Sequence, residues 1–154
     1  MKVLILGESD GSGGAARAAY RLHRSLLLQG VNSQLLVQRK SSDDFTVLIK
    51  DQKSTKYFNK LRPIIDSIPN RFYKNRTGSL FSSSWLGFSG IADKINEINP
   101  DIVNLHWISG GMLRIEEIAK IKAPIVWTLH DMWPLTGGCH YDQGCGLYKD
   151  KCGG

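Results

Sequence analysis

The sequence predicts an α/β fold in which a parallel sheet is covered by helices on both faces, and three observations predict it. The unbroken apolar, β-branched run Lys2 to Leu6 reads as a central strand buried on both sides, and Ile102 to His106 and Ile125 to His130 read as further strands. Segments with apolar residues at helical spacing lie between them. A small-residue, glycine-rich turn follows the first strand, where such folds pass from strand to helix. The 154 residues, 42% of them hydrophobic, suffice for a single domain spanning 1–154 without disulfide or metal support.

Lys2 to Leu6 is the first strand and ends at Gly7. Gly7 to Gly14 is a loop, and Ala15 to Gln29 follows as a helix with Ala15, Ala19, Leu22 and Leu26 on its apolar stripe and Arg17, Arg21 and Arg24 on another. Gly30 suits the left-handed position just past a helix end, and Ser33 to Gln38 resumes a strand pattern. Phe45 to Ile49 is a further short strand. From Lys53 to Arg76 the chain reads as irregular, broken by Pro63 and Pro69, with seven Lys or Arg against Asp66 alone. Gly78 to Gly90, with Phe81, Trp85 and Phe88 among serines and glycines, is a long loop or an ordered surface excursion. Ile91 to Ile98 is a short amphipathic helix, and Pro100-Asp101 leads into the strand Ile102 to His106. Leu113 to Ile121 is the next helix, and Pro124 opens the strand Ile125 to His130. Strands alternating with helices give a doubly wound, Rossmann-like parallel sheet with right-handed crossovers. Beyond Asp131 the chain turns to Pro, Gly and Cys punctuation, and Cys152-Gly153-Gly154 does not read as a finished terminus.

The formal charge of +6 and pI near 9.3 favour anionic partners: nucleotides, phospholipid head groups or nucleic acid. The opening apolar run is too short for a signal-peptide core, and no stretch approaches the roughly 20 apolar residues that cross a bilayer, so a soluble, cytoplasmic protein is expected. Cys139, Cys145 and Cys152 lie at the end of the chain and cannot frame the whole fold with disulfides. With His140 they form a cluster whose spacing matches no standard zinc pattern, so reduced thiols are expected rather than a metal.

Ligands of an open parallel sheet bind beyond the carboxyl ends of its strands. Three features converge there: the glycine loop after the first strand, His106 closing one strand and His130 closing another. Gly7, Gly11, Gly13 and Gly14 would let main chain approach a phosphate, or simply serve a tight turn. The dinucleotide fingerprint G-x-G-x-x-G and the triphosphate-loop G-K-[ST] are both missing. Imidazole can donate, accept or carry charge near neutrality, which makes His106 and His130 the candidates for contact with a sugar or phosphate, His130 the stronger. His130 and Asp131 could also pair. Trp107 and Trp133, just past strand ends, could stack on a sugar ring, whereas Trp127 reads as core.

Gly13-Gly14-Ala15-Ala16-Arg17-Ala18-Ala19, Pro100-Asp101-Ile102-Val103-Asn104-Leu105-His106-Trp107 and Trp127-Thr128-Leu129-His130-Asp131-Met132-Trp133-Pro134, followed by Thr136-Gly137-Gly138-Cys139-His140, together resemble bacterial family 4 glycosyltransferases of exopolysaccharide and colanic-acid-type pathways. The resemblance covers nearly the whole chain. It implies the amino-terminal, acceptor-side half of a two-domain GT-B fold, the carboxy-terminal donor-binding domain being absent from this chain and the chain alone inactive. It also implies transfer of a sugar from a nucleotide-sugar donor to a saccharide or lipid-linked acceptor with retained configuration and no cofactor or metal. Gly13 and Gly14 would then approach the donor diphosphate, His130 and Asp131 would be catalytic, and His106, Trp107, Arg17 and Trp133 would face the acceptor. The basic window 53–76 reads first as a solvated surface and otherwise as a peripheral contact with the inner face of the plasma membrane, and nucleic acid is not an expected partner. Two alternatives remain at this stage: an NADP-dependent oxidoreductase using Arg39-Lys40 for a 2′-phosphate, and a non-catalytic module for anionic polymer or membrane.

Overall fold

A computed structural model describes residues 1–49, 55–72, 80–86 and 90–150. Strand β1 (Lys2–Ser9) pairs in parallel with β2 (Asn32–Arg39) on one side and β4 (Ile102–Leu105) on the other, while β3 (Val47–Ile49) and β5 (Ile125–Trp127) extend the two flanks. The sheet order is therefore β3-β2-β1-β4-β5, all parallel. The chain leaves β1 toward β2 and later returns to β4, so the order reverses between β1 and β4. That reversal opens a crevice at the carboxyl ends of these strands.

Alternation along each strand sends side chains to two cores. On one face Leu4, Leu6, Leu36, Val103 and Leu105 pack with Ile91 and Ile95 of helix α3 (Ile91–Ile98) and with Ile108, Met112 and Leu113. On the other, Val3, Ile5, Leu35, Val37 and Val47 pack with Ala19 of helix α1 (Gly14–Leu28). Both faces of the central strands are covered, as the sequence predicts, whereas the edge strand β5 leaves Ile125 and Val126 exposed.

Several boundaries differ from the sequence-based expectation. β1 runs through Gly7 to Ser9 because Gly7 pairs with Val37 and Ser9 with Arg39. The buried face of α1 is Ala16, Ala19 and His23, and Leu22 is 37% exposed. His23 can occupy the interior because Ser33 Oγ (2.8 Å) and Thr46 Oγ1 (2.7 Å) satisfy both ring nitrogens. Within the window expected to be irregular, Thr55–Asp66 forms helix α2 despite Pro63. Its carboxyl end is anchored by Arg62, whose Nε donates to Gly111 O at 2.6 Å, and by Asp66, which accepts from Leu86 N. A 3-10 turn follows at Pro69–Phe72, and residues 53–54 and 73–76 of that window lie outside the described residues.

The helix expected over Leu113 to Ile121 shortens to α4 (Ile115–Ile118), because Lys120 N and Ile121 N bond three residues back, to Glu117 O and Ile118 O, and tighten the turn. β5 ends at Trp127, so His130 stands past the strand rather than on it. Phe81 bridges antiparallel to Cys139, which orders part of the serine-rich excursion.

Candidate functional site

The carboxyl ends of β1, β4 and β5 converge on a cleft of about 470 Å³. Gly7, Glu8 and Ser9 from β1, Ser12 to Ala16 at the start of α1, His106 and Trp107 after β4, and His130 and Asp131 after β5 line it, with Leu80 and Tyr141 at the margin. The glycine turn and the two histidines, over ninety positions apart in the chain, thus share one cavity.

Gly13 caps α1 with φ 91°, a left-handed conformation that disfavours any side chain. Gly14 is different: its φ is not in that region, and a Cβ built there meets nothing within 4 Å. The fold therefore does not require glycine at 14, and the space in front of it belongs to the cleft. The first turn of α1 carries no acidic residue and no side-chain cap, so its amide groups and the positive end of the helix dipole suit an anion.

Two hydrogen-bonded chains build the opposite wall. In the first, Asn104 Oδ1 lies 2.9 Å from His106 Nε2, and His106 Nδ1 lies 2.8 Å from His130 Nε2. His106 is 3% exposed, and its imidazole is lowered to about 4 by burial and, secondarily, by the neighbouring charge of His130, so it is neutral at physiological pH. His130 is exposed to the cleft.

In the second chain, Asp131 Oδ2 accepts from His140 Nδ1 and from the Trp107 indole (3.0 Å), while its Oδ1 accepts from Trp133 N (3.0 Å). His140 Nε2 sits 2.8 Å from Ser82 Oγ. Ser82, His140 and Asp131 thus have the connectivity of a nucleophile, base and orienting carboxylate. Yet His140 is wholly buried, Ser82 nearly so, and neither lines the cleft. A serine with no room for a substrate braces the wall rather than attacking anything.

Of the residues singled out in the sequence, Gly13, Gly14, His106, Trp107, His130 and Asp131 come together. Arg17 and Trp133 do not line the cleft: Arg17 is exposed on α1, whereas Trp133, 3% exposed with its indole donating to Ser82 O at 2.8 Å, borders a small neighbouring crevice together with His106, Trp107, His130 and Asp131. Asn104, Ser82 and Tyr141 escaped the sequence reading. Only Asn104 left a signal, a polar residue inside an apolar strand. His140 was visible only as a neighbour of cysteines. Among the described residues no group of three or more His, Cys, Asp or Glu could hold a metal ion, and Cys152 lies outside them.

The cations that a 2′-phosphate would need are engaged elsewhere. Arg39 forms a two-pronged ion pair with Glu8, its Nη2 donating to Oε2 at 2.9 Å, and Lys40 Nζ donates to Asp44 O at 2.7 Å. Asp10, beside the glycine turn, is also committed. Burial would raise its carboxyl, but bonds from Ser41 and Ser42 outweigh that and hold it below the usual range. Among the described residues no helix is long and apolar enough to cross a membrane.

The chain is 24% identical over 157 residues to the Escherichia coli (strain K12) protein named "Putative colanic acid biosynthesis glycosyl transferase WcaC", an alignment that covers 99% of this chain and 38% of that protein. No solved structure matches. The family model described as Glycosyltransferase Family 4 matches residues 12–149. The chain, with its parallel sheet and its cleft at the strand-order reversal, belongs to glycosyltransferase family 4.

Proposed function

We propose that this chain is the acceptor-side half of an enzyme that moves a sugar, with retained configuration, from a nucleotide-sugar donor to a saccharide or lipid-linked acceptor. One observation carries the reading: a glycine turn at the positive end of α1 and an exposed histidine, His130, line the same cleft. In this reading the amides at Gly13 and Gly14 meet the developing negative charge of the leaving diphosphate, the type of fixed-dipole stabilisation that lowers a transfer barrier most. His130 contacts the transferred sugar. Asp131, already accepting three hydrogen bonds, is a rigid acceptor toward the incoming hydroxyl rather than a mobile base. Trp107 and His106 complete the acceptor wall, Trp133 backs it from the core, and Arg17 lies outside it.

The same reading sets the enzyme at the inner face of the membrane. Ile64, Ile68 and Phe72, on and just after α2, are exposed within a basic stretch of sequence, a combination suited to anionic lipid.

The test uses the whole protein that carries this chain, assayed for transfer from a panel of nucleotide sugars. His130→Ala is expected to lower turnover about 100-fold or more, far beyond the modest fall in melting temperature from losing its hydrogen bond to His106. Undiminished turnover would remove His130 from the mechanism, and absence of transfer from every donor would remove the reading.

A further inference from the structure

His130 reaches the cleft with one ring nitrogen already taken, and the residues behind it decide which one carries the proton. Asn104 Nδ2 donates to Val126 O and to Thr128 Oγ1, both at 3.0 Å. A carbonyl oxygen can only accept, so the amide is oriented with its Oδ1 toward His106. That oxygen likewise can only accept, and His106 must present Nε2–H to it at 2.9 Å. The opposite amide orientation would set two acceptors face to face at Val126 and leave the Nδ2 group pointing at His106. Being neutral, His106 then has a bare Nδ1, and among the described residues the group facing that nitrogen is His130 Nε2 at 2.8 Å, which must donate. Among the described residues, His130 Nδ1 has no hydrogen-bond partner.

We propose that Asn104 and His106 are positioning residues that lock His130 as the Nε2–H tautomer and so present a bare Nδ1, a hydrogen-bond acceptor, to a hydroxyl donor of the ligand in the cleft. This rests on the assignment of His130 to the sugar-facing wall. It adds a specificity to that assignment: in this tautomer the bare Nδ1 selects a hydroxyl over a phosphate oxygen, because two acceptors do not bond. Asn104 never touches the ligand and acts through two rings. A buried polar residue in an otherwise apolar strand thereby acquires a purpose beyond its own satisfaction.

The test reads the rings directly, by long-range proton–nitrogen correlation spectra of the chain with labelled histidine, His130 being assigned through His130→Gln. At pH above 7 in the unsubstituted protein, His106 and His130 are both expected as Nε2–H. In Asn104→Leu the Nε2–H preference of His130 is expected to fall several-fold, and Thr128→Val, a milder change, should lower it less. A His130 that is chiefly Nδ1–H in the unsubstituted protein overturns the proposal without any variant needing to fold, as does an unchanged tautomer ratio in a folded Asn104→Leu. The measurement involves no sugar, so its outcome is separate from that of the transfer assay: a correct tautomer with no transfer would sink the enzymatic reading and leave the relay standing.

Discussion

Ser82 Oγ and His140 Nε2 meet at 2.8 Å across 58 positions of sequence, fastening the serine-rich excursion to the segment that follows α5 (Trp133–Thr136). Both side chains are buried, and the ring is also held through Asp131. Ser82→Ala removes one buried hydrogen bond and is expected to lower stability by about 1 kcal/mol. His140→Ala also opens a cavity and removes one of the three hydrogen bonds to the Asp131 carboxylate, so about 3 kcal/mol is expected. Urea unfolding of both variants checks the ranking, and equal losses would show that the ring itself contributes little.

The two glycines at the head of α1 should respond differently. Gly13→Ala forces a side chain into a left-handed conformation and is expected to lower stability by about 1 kcal/mol. Gly14→Ala meets no protein atom within 4 Å and should leave the melting temperature unchanged or slightly higher. On the proposed function, however, the added methyl group stands in the cleft, so Gly14→Ala in the whole protein should weaken donor use. An active, normally saturating Gly14→Ala enzyme would show that the cleft beside this residue stays empty.

Stability should fall on mild acidification through His106. Its folded value of about 4 lies below the ordinary 6.5, so between these limits the unfolded chain takes up a proton that the folded chain refuses. The neutral-ring contribution is complete above about pH 6.5 and is lost as pH falls toward 4, by an amount on the order of 3 kcal/mol. His23, lowered chiefly by burial, acts in the same direction. Melting temperatures between pH 7 and 5 should decline in the unsubstituted protein and decline less steeply in His106→Asn.

A separate acid step belongs to Asp44. Its carboxylate accepts from Thr46, Tyr20 and Arg24, tying α1 to the approach to β3, and the Thr46 hydroxyl, outweighing burial, leads in lowering it to about 2. This contribution is fully present above about pH 4 and disappears as pH falls through 2. Asp44→Asn should therefore be less stable than the unsubstituted protein at pH 6, and the difference should vanish near pH 2. A constant difference across that range would mean that the charge is immaterial.

What could be read from sequence follows from how local each determinant is. The run Ile102 to Leu105 declares a doubly covered strand because every residue but Asn104 answers to the same apolar surroundings, and α3 emerged with its observed limits because its apolar spacing and left-handed Asn99 cap are local. Helix α2 stayed hidden because Pro63 and a run of cations argue against a helix, while the opposing ties, from Arg62 to Gly111 and from Leu86 to Asp66, come from distant segments. His23 looked like a surface residue of α1 because its partners Ser33 and Thr46 lie on other elements. At the cleft, the glycine turn and His130 were legible since each follows the carboxyl end of a strand. Asn104 and Ser82 were not recognised, because their roles depend on which atoms end up opposite them.

The antiparallel bridge between Phe81 and Cys139 carries a kinetic consequence. Ser82 N donates to Gly138 O and His140 N to Leu80 O, so neither amide proton can reach solvent unless the two segments part. Deuterium should enter both positions in a single event with one lifetime, which makes the cleft margin a unit that opens whole or stays shut.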